Sequence, residues 1–261
     1  MYCWEFCRSS RVTERMNGSN DYYEALGFED DHLATQTVWY RILNCGFRIP
    51  AGSGTDIMAN FASVRGPIGM NRVYVRLRGP LTRRGFYQGL KAGRTFVTNG
   101  PLLGFTLGGV SVGDKLTLSA GSRRITARVT LRSMVPVERL EIIRNGEIAG
   151  SIPLTGDSTT VTATVPLMVD RSGWYLVRAW SHGARAPVLD LHPMATTSPI
   201  YVTVGGQPVR SPEDAAYFLA WMDRLEQAAR ANSGYNTDQE RDHILGLIDA
   251  ARQEFRRRQE P

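Results

Sequence analysis

The sequence predicts a mixed α+β chain in three consecutive parts. These are a partial α/β segment over residues 1–100, an antiparallel β-sandwich over 101–208 and a C-terminal helical hairpin over 209–261. Helical and strand patterns alternate before residue 100, which is typical of α/β architecture. Short strands then follow one another without helices, which indicates a sandwich. Two capping signatures in the last fifty residues predict the helices of the hairpin.

The first part supplies two helices and three strands. Residues 1–30 do not form a recognisable unit. Asp30-Asp31 offers a helix N-cap, and the helix predicted over Leu33–Cys45 ends at Gly46. A short strand over Phe47–Ile49 and a glycine-rich loop that ends at Asp56 follow. Further patterns predict the strand Arg72–Arg78, a helix over Phe86–Ala92 capped by Thr82, and a strand that begins at Thr95–Val97.

The second and third parts have equally clear local signals. Ile125–Leu131 alternates apolar and polar residues, as in a half-buried strand. Asn145-Gly146 predicts a type I′ hairpin between two apolar runs. The remaining predicted strands are Thr159–Val165, Trp174–Trp180 and Ile200–Val204, and Ser211 and Thr237 are expected to cap the two helices of an antiparallel pair.

The composition indicates an ordinary globular protein without a membrane partner. The chain has 261 residues, of which 42% are hydrophobic and 21% charged, as in ordinary globular proteins. No apolar run is long enough for a membrane span, so no membrane partner is expected, and the chain as written is expected in the cytoplasm. An upstream signal peptide would instead make it periplasmic or secreted.

The net charge of +6 does not predict a nucleic-acid partner. Lysine occurs only at Lys91 and Lys115, and the arginines are scattered rather than concentrated on one face with aromatic residues. The three cysteines, Cys3, Cys7 and Cys45, do not have the spacing of a disulfide framework or a zinc finger.

The segment Gly54-Thr55-Asp56 follows a strand and a glycine turn. A carboxylate at the C-terminal end of a strand in an α/β barrel points to the functional face and is a suitable ligand for a divalent metal. An Asp after glycines also serves as a turn residue or helix cap. The residues alone leave both interpretations open.

Several long motifs resemble one enzyme family. They are WYRILNCGFRIP at 39–50, AGSGTDIMANFASVRGPIGMNRVYVR at 51–76, KAGRTFVTNGPLL at 91–103, SGWYLVRAWS at 172–181 and ATTSPIYVTVGG at 195–206. Together they closely resemble the CehA/McbA (carbaryl-hydrolase-like) metallohydrolases of the PHP superfamily. The resemblance extends from about Asn20 to Phe255.

The resemblance implies a PHP-type barrel segment and a divalent metal cofactor, Zn or Mn, that activates water. The implied reaction is hydrolysis of an ester, carbamate or phosphoester bond in a small-molecule substrate. Asp56 matches the aspartate of the family's late Gly-Ser-Asp-x-His element, whereas Met58 occupies the histidine position. The family's early His-x-His pair is absent. We therefore expect an N-terminally truncated fragment that is inactive alone and self-associates through exposed barrel edges.

Each of the further candidate residues has both a functional and a structural interpretation. Glu24 is a possible remnant metal ligand, and His32 either faces the metal cleft or caps its helix in water. Thr98 and Asn99 either orient the substrate or form a turn, and Arg65 pairs with an anionic substrate or makes a structural ion pair. Structural roles are predicted for the remaining histidines, His182, His192 and His243.

The alternative function is non-catalytic: a binding or scaffold protein whose sandwich recognises a glycan or protein. Trp174 and Trp180 share one face of their strand and would be either a binding platform or part of the core. Leu176 and Arg178 lie on the same face, and we favour the core.

Overall fold

The computed structural model describes residues 22–27, 31–55 and 68–260. The chain divides into two compact units. Of the described residues, the larger unit contains those up to 43 and 48–209, and the smaller unit contains 44–47 and 210–260. Both are described separately below.

The larger unit begins with a parallel strand pair and a helix. Strand β1 (Tyr23–Leu26) pairs with β2 (Ala51–Ser53), and α1 (His32–Asn44) lies between them in sequence. The predicted helix is confirmed, but the predicted strand at residues 47–49 is wrong, because the strand lies at 51–53, where we expected a loop. Glycine permits this strand, since a Cβ at Gly52 would lie 2.0 Å from Cδ2 of Tyr22.

The next elements follow the sequence prediction closely. Strand β3 (Arg72–Val75) is shorter than expected, and β4 (Thr95–Thr98) begins where predicted. Helix α2 (Arg83–Lys91) is capped by Thr82, whose hydroxyl accepts a hydrogen bond from the Gly85 amide.

The strands after residue 100 form two packed sheets. They are β5 (Leu102–Leu107), β6 (Val110–Ser111), β7 (Lys115–Leu118), β8 (Arg123–Arg132), β9 (Arg139–Arg144), β10 (Glu147–Ser151), β11 (Thr160–Val169), β12 (Gly173–Trp180), β13 (Met194–Thr197) and β14 (Ile200–Val204). The smaller sheet has the order β11-β8-β5-β6. The larger sheet runs β10-β9-β12-β13-β4-β3, and β14 pairs with β12 and β7.

The hydrophobic core lies between these two sheets. Ala127, Val129 and Leu131 of β8 point inward at alternate positions, and they share one core cluster with Tyr175 and Val177 of β12. The arginines and threonines between the β8 core residues are exposed. This alternation confirms the half-buried strand that the sequence predicts.

Strands β3 and β4 join this larger sheet from before residue 100. β4 pairs antiparallel with both β3 and β13, so the hydrogen-bond ladder continues across the change in sequence pattern. The sequence does not predict this pairing. The PHP-type barrel segment stays a prediction.

The smaller unit contains the predicted helical pair. Helix α3 (Pro212–Ala231) and α4 (Asp238–Gln259) have Ser211 and Thr237 as N-caps, as expected. The fully buried rings of Phe218 and Phe255 stack with their centroids 4.7 Å apart. None of the helices in the described ranges has the length and apolarity needed to cross a membrane.

Candidate functional site

The ends of three strands in the larger unit converge at one place. Ser53 Oγ donates to the Leu26 carbonyl over 2.6 Å, which ties the end of β2 to the end of β1. Asn71, just before β3, donates through Nδ2 to the Gly27 carbonyl over 2.6 Å. Its backbone amide donates to Thr55 Oγ1 over 3.2 Å. The residues after β1 and β2 therefore meet the start of β3.

Strand β4 runs alongside β2 in the same direction. Near their first residues, Thr95 Oγ1 donates to the Ala51 carbonyl over 2.8 Å, and the Ala51 amide donates to Ser198 Oγ over 2.9 Å. At the other end, Thr98 is paired with Arg72. The C-terminal ends of β1, β2 and β4 thus lie at one edge, which is where α/β proteins place functional side chains.

A cluster of four polar residues occupies this edge: His32, Asn99, Asp190 and His192. We call it the strand-end cluster. His32 Nε2 lies 3.4 Å from Asp190 Oδ2, and the rings of His32 and His192 meet edge to face with centroids 5.1 Å apart. His32 opens α1, Asn99 follows β4, and the other two residues lie just before β13.

Asn99 holds the loop of Asp190 in place. Its Nδ2 donates to Asp190 Oδ2 and to the His192 carbonyl, each over 2.8 Å, and its Oδ1 accepts from the Met194 amide over 2.7 Å. Its amide group therefore bonds to three groups of one segment. Asn99 is buried, so these bonds are well shielded from water.

Electrostatics favour a charged Asp190 and a neutral His192. Burial acts to raise the pKa of Asp190, but the adjacent His32 and the hydrogen bonds from Asn99 and the Leu191 amide outweigh it, and the pKa is lowered. The pKa of His192 is lowered by burial and then by repulsion from His32.

His32 is buried, with 1% of its surface exposed, which excludes the interpretation that it faces water. Within the part of the chain that the structure describes, His32 Nδ1 and His192 Nε2 have no hydrogen-bond partner, whereas His32 Nε2 faces the Asp190 carboxylate. Buried polar atoms without partners are rare in folded proteins, and a bound ion or water is one common explanation.

The other predicted site residues are placed as follows. A Cβ at Gly54 would lie 3.1 Å from Oε1 of Glu24, so this carboxylate lies beside the segment that leads to Asp56. Thr98 is buried, and its hydroxyl accepts from the Gly100 amide over 2.8 Å, which is a turn interaction. Asp56, Met58 and Arg65 lie outside the described residues, as do Cys3 and Cys7.

Two members of the cluster were not among the site residues predicted from the sequence. His192 was predicted to be structural, and Asp190 was not singled out. The spacing Asp190-Leu191-His192 is a signal for the pair, because an Asp-x-His element brings a carboxylate and an imidazole close together. The other predicted structural histidine of this region, His182, lies at the surface beside Glu138, with Nδ1 and Oε2 2.7 Å apart.

The metal-binding capacity of the cluster is limited. In the described ranges, no group of three or more His, Cys, Asp or Glu side chains is arranged to hold a metal ion. His32 and Asp190 nevertheless offer an imidazole nitrogen and a carboxylate oxygen, which are common zinc and manganese ligands. A third ligand would have to come from residues beyond this pair.

No protein family, curated protein or solved structure matches this chain. The resemblance to PHP-type metallohydrolases therefore stays a prediction. The function has to be argued from the site itself.

The proposed glycan platform can be assessed directly. Trp174 is fully buried and packs against Tyr40, with ring centroids 5.1 Å apart. Trp180 is half-buried, and its Nε1 donates to Glu141 Oε2 over 3.2 Å. The interpretation of Trp174 as core is confirmed, and the pair does not form an exposed aromatic surface.

Proposed function

We propose that this chain is a PHP-type metal-dependent hydrolase in which the strand-end cluster contributes part of the metal site. The observation that carries this proposal is the buried His32, whose Nδ1 has no hydrogen-bond partner among the described residues and whose Nε2 lies 3.4 Å from Asp190 Oδ2.

Desolvation makes a buried nitrogen without a partner, such as His32 Nδ1, unfavourable. Such a group destabilises the fold by roughly 1–3 kcal/mol. His32 could be replaced by an apolar residue at the first turn of α1 without this cost. A ligand role supplies a reason for an imidazole at this position, since a cation satisfies one nitrogen directly.

The donor set suits Zn²⁺ or Mn²⁺. His32 would supply nitrogen, Asp190 would supply oxygen, and Asp56 is the proposed third ligand, since it directly follows in sequence Thr55, which lies at this edge. Glu24, beside Gly54, is a further carboxylate within this region. When bound, such a cation supplies Lewis-acid chemistry for the hydrolysis of an ester, carbamate or phosphoester.

Residues of the chain itself would do the remaining work. Asn99 fixes the orientation of Asp190 and is a positioning residue, because it bonds to the carboxylate, to the His192 carbonyl and to the Met194 amide. Since the described residues supply only two close ligands, we expect weak metal binding and little turnover by the isolated chain. If a second copy of the chain supplied the missing ligand, metal affinity and turnover would both increase.

The proposal is tested by metal binding to the purified chain. Zn²⁺ and Mn²⁺ titrations followed by calorimetry would compare wild type with Asp56→Ala, Asp190→Asn and His32→Gln. We expect saturable binding to wild type and an affinity at least tenfold lower for each variant, since changes of residues that only support a metal ligand already lower affinity roughly 10- to 100-fold. Hydrolysis of p-nitrophenyl phosphate and p-nitrophenyl acetate would be measured on the same samples.

The matched control is His243→Gln, which changes an exposed histidine of the smaller unit. Its metal affinity should equal that of wild type. Far-UV circular dichroism would verify that each variant is folded. Wild-type protein that binds neither metal, or three site variants that bind as well as His243→Gln, would refute the proposal.

A further inference from the structure

The larger unit also contains a cavity that lies away from the strand-end cluster. It is a cavity of about 420 Å³ between the β3–β4 pair and the β5–β6 pair. Arg94, Thr95 and Phe96 line it at the beginning of β4, whereas Asn99 follows the other end of this strand. Thr95 and Asn99 are separated by about 13 Å along an extended strand. The two regions are therefore distinct.

The walls of the cavity are apolar and partly aromatic. The rings of Tyr74 and Phe96 stack with centroids 4.8 Å apart and an interplanar angle of 1°. Buried side chains of β5, Leu103 and Phe105, line the cavity as well, with Val112 beside them. A cavity of this volume with walls of this kind suits the flat hydrocarbon part of a small molecule.

The charged residues of the lining are all cationic. Arg76 and Arg94 contribute, and the lining contains no Asp or Glu. Arg76 is already engaged, because its Nη1 donates to Ser111 Oγ over 2.7 Å and its Nη2 lies 4.0 Å from Asp114 Oδ2.

Arg94 differs from Arg76 in having no acidic partner. Its Nε donates to the Arg76 carbonyl over 3.3 Å, and among the described residues no carboxylate lies within ion-pair distance of its guanidinium. Arg94 is half-buried, and a guanidinium at the edge of an apolar cavity is well suited to a carboxylate, which it can bind with two parallel hydrogen bonds.

We propose that this cavity is a binding site for a small amphipathic anion, with a planar apolar body between the aromatic wall and β5 and a carboxylate at Arg94. The site is independent of the proposed hydrolase function, since it shares no residue with the strand-end cluster. Ligand recognition here rests on apolar contact for the body and on one charge-assisted interaction for the head group.

The test uses 2-naphthoate as the anionic probe and 2-naphthalenemethanol as its neutral counterpart. Calorimetry and two-dimensional NMR would measure binding to the full chain and the resonances that shift. We expect 2-naphthoate to bind with one-to-one stoichiometry and to shift resonances of Tyr74 and Phe96. Arg94→Gln should weaken naphthoate binding roughly 10- to 100-fold, as the loss of a charged hydrogen bond does, and leave the alcohol unaffected.

Two further variants provide a charge control and a steric block of the cavity. Arg124→Gln removes the same charge from an exposed position on β8 and should bind naphthoate as wild type does. Ser111→Trp places a large ring in the cavity and should abolish binding of both probes, with folding verified by circular dichroism. The proposal is overturned if wild type does not bind naphthoate saturably, or if Arg94→Gln and Arg124→Gln bind it equally well. It is also overturned if folded Ser111→Trp retains binding.

Discussion

Individual buried polar residues show most clearly how side-chain identity is constrained in this protein. Glu141, on β9, is buried and accepts hydrogen bonds from Arg178 Nε over 3.1 Å and Nη2 over 2.7 Å, and from the indole of Trp180. The strand pattern predicts that β12 is mostly core, but it does not predict the acidic partner on β9. A buried ion pair of this kind tolerates loss of one partner poorly, because the other charge is left without compensation.

Tyr40 lies next to this ion pair and provides a prediction about pH. Burial is the main reason that its pKa is raised from 10.0 to about 12. Below pH 10 the hydroxyl is protonated in both the folded and unfolded states. As the pH rises from 10 towards 12, the unfolded state ionises first, so the folded state loses stability, by up to roughly 3 kcal/mol.

We expect the free energy of unfolding of wild type to fall more steeply between pH 9 and pH 12 than that of Tyr40→Phe. Urea denaturation at each pH measures both slopes. Tyr87→Phe, which alters an exposed tyrosine, should retain the wild-type slope. Equal slopes for wild type and Tyr40→Phe would show that this hydroxyl ionises normally in the folded protein.

At the scale of single elements, turns and caps follow local sequence rules. The hairpin between β9 and β10 has Asn145 at φ 53° and Gly146 at φ 92°, as the type I′ turn requires. Ser211 and Thr237 accept hydrogen bonds from the amides of Asp214 and Glu240. These interactions link residues at most three positions apart, so they are predictable without tertiary information.

The β9–β10 hairpin leads to a prediction about backbone conformation. Gly146→Ala places a side chain at a left-handed backbone position and should lower the free energy of unfolding by about 1–2 kcal/mol. The matched control is Gly150→Ala on β10, where an added Cβ would lie at an ordinary 3.7 Å from Leu167 Cδ2. Urea denaturation of both variants gives the comparison. A loss no greater in Gly146→Ala than in Gly150→Ala would contradict the turn assignment.

At the scale of the whole molecule, the larger sheet of the larger unit is continuous across residue 100. β4 hydrogen bonds to β13, and β12 hydrogen bonds to β9, β13 and β14, so strands from before and after residue 100 share one ladder. The core between the two sheets contains residues of β5, β8, β11, β12 and β14. A substitution that destabilises the strands before residue 100 should therefore also destabilise the strands after it.

This continuity predicts cooperative unfolding of the larger unit. Val97→Ala on β4 and Val129→Ala on β8 both change fully buried residues and should each destabilise it by about 2 kcal/mol. Hydrogen exchange followed by mass spectrometry should show that each variant reduces protection in both strands. If Val97→Ala reduced protection in β4 alone, the two parts would be separate folding units, which a ladder across residue 100 does not predict.

The sequence by itself determined the local architecture: α1, the capped helices, the β9–β10 hairpin and the alternating strands. The reason is that apolar periodicity, caps and turn residues act over a few neighbouring positions. It also singled out His32 and Asn99, though each with an alternative.

Only the tertiary structure decided which strands pair across residue 100 and which residues surround His32. Asp190 is distant in sequence from His32, and no local pattern specifies that Asn99 and the turn before β13 bring them within 3.4 Å. Burial likewise assigned Trp174 to the core, since strand alternation identifies residues that share a face but not what covers that face. Strand order and long-range contact arise from packing of the whole chain, which is why they were resolved only in three dimensions.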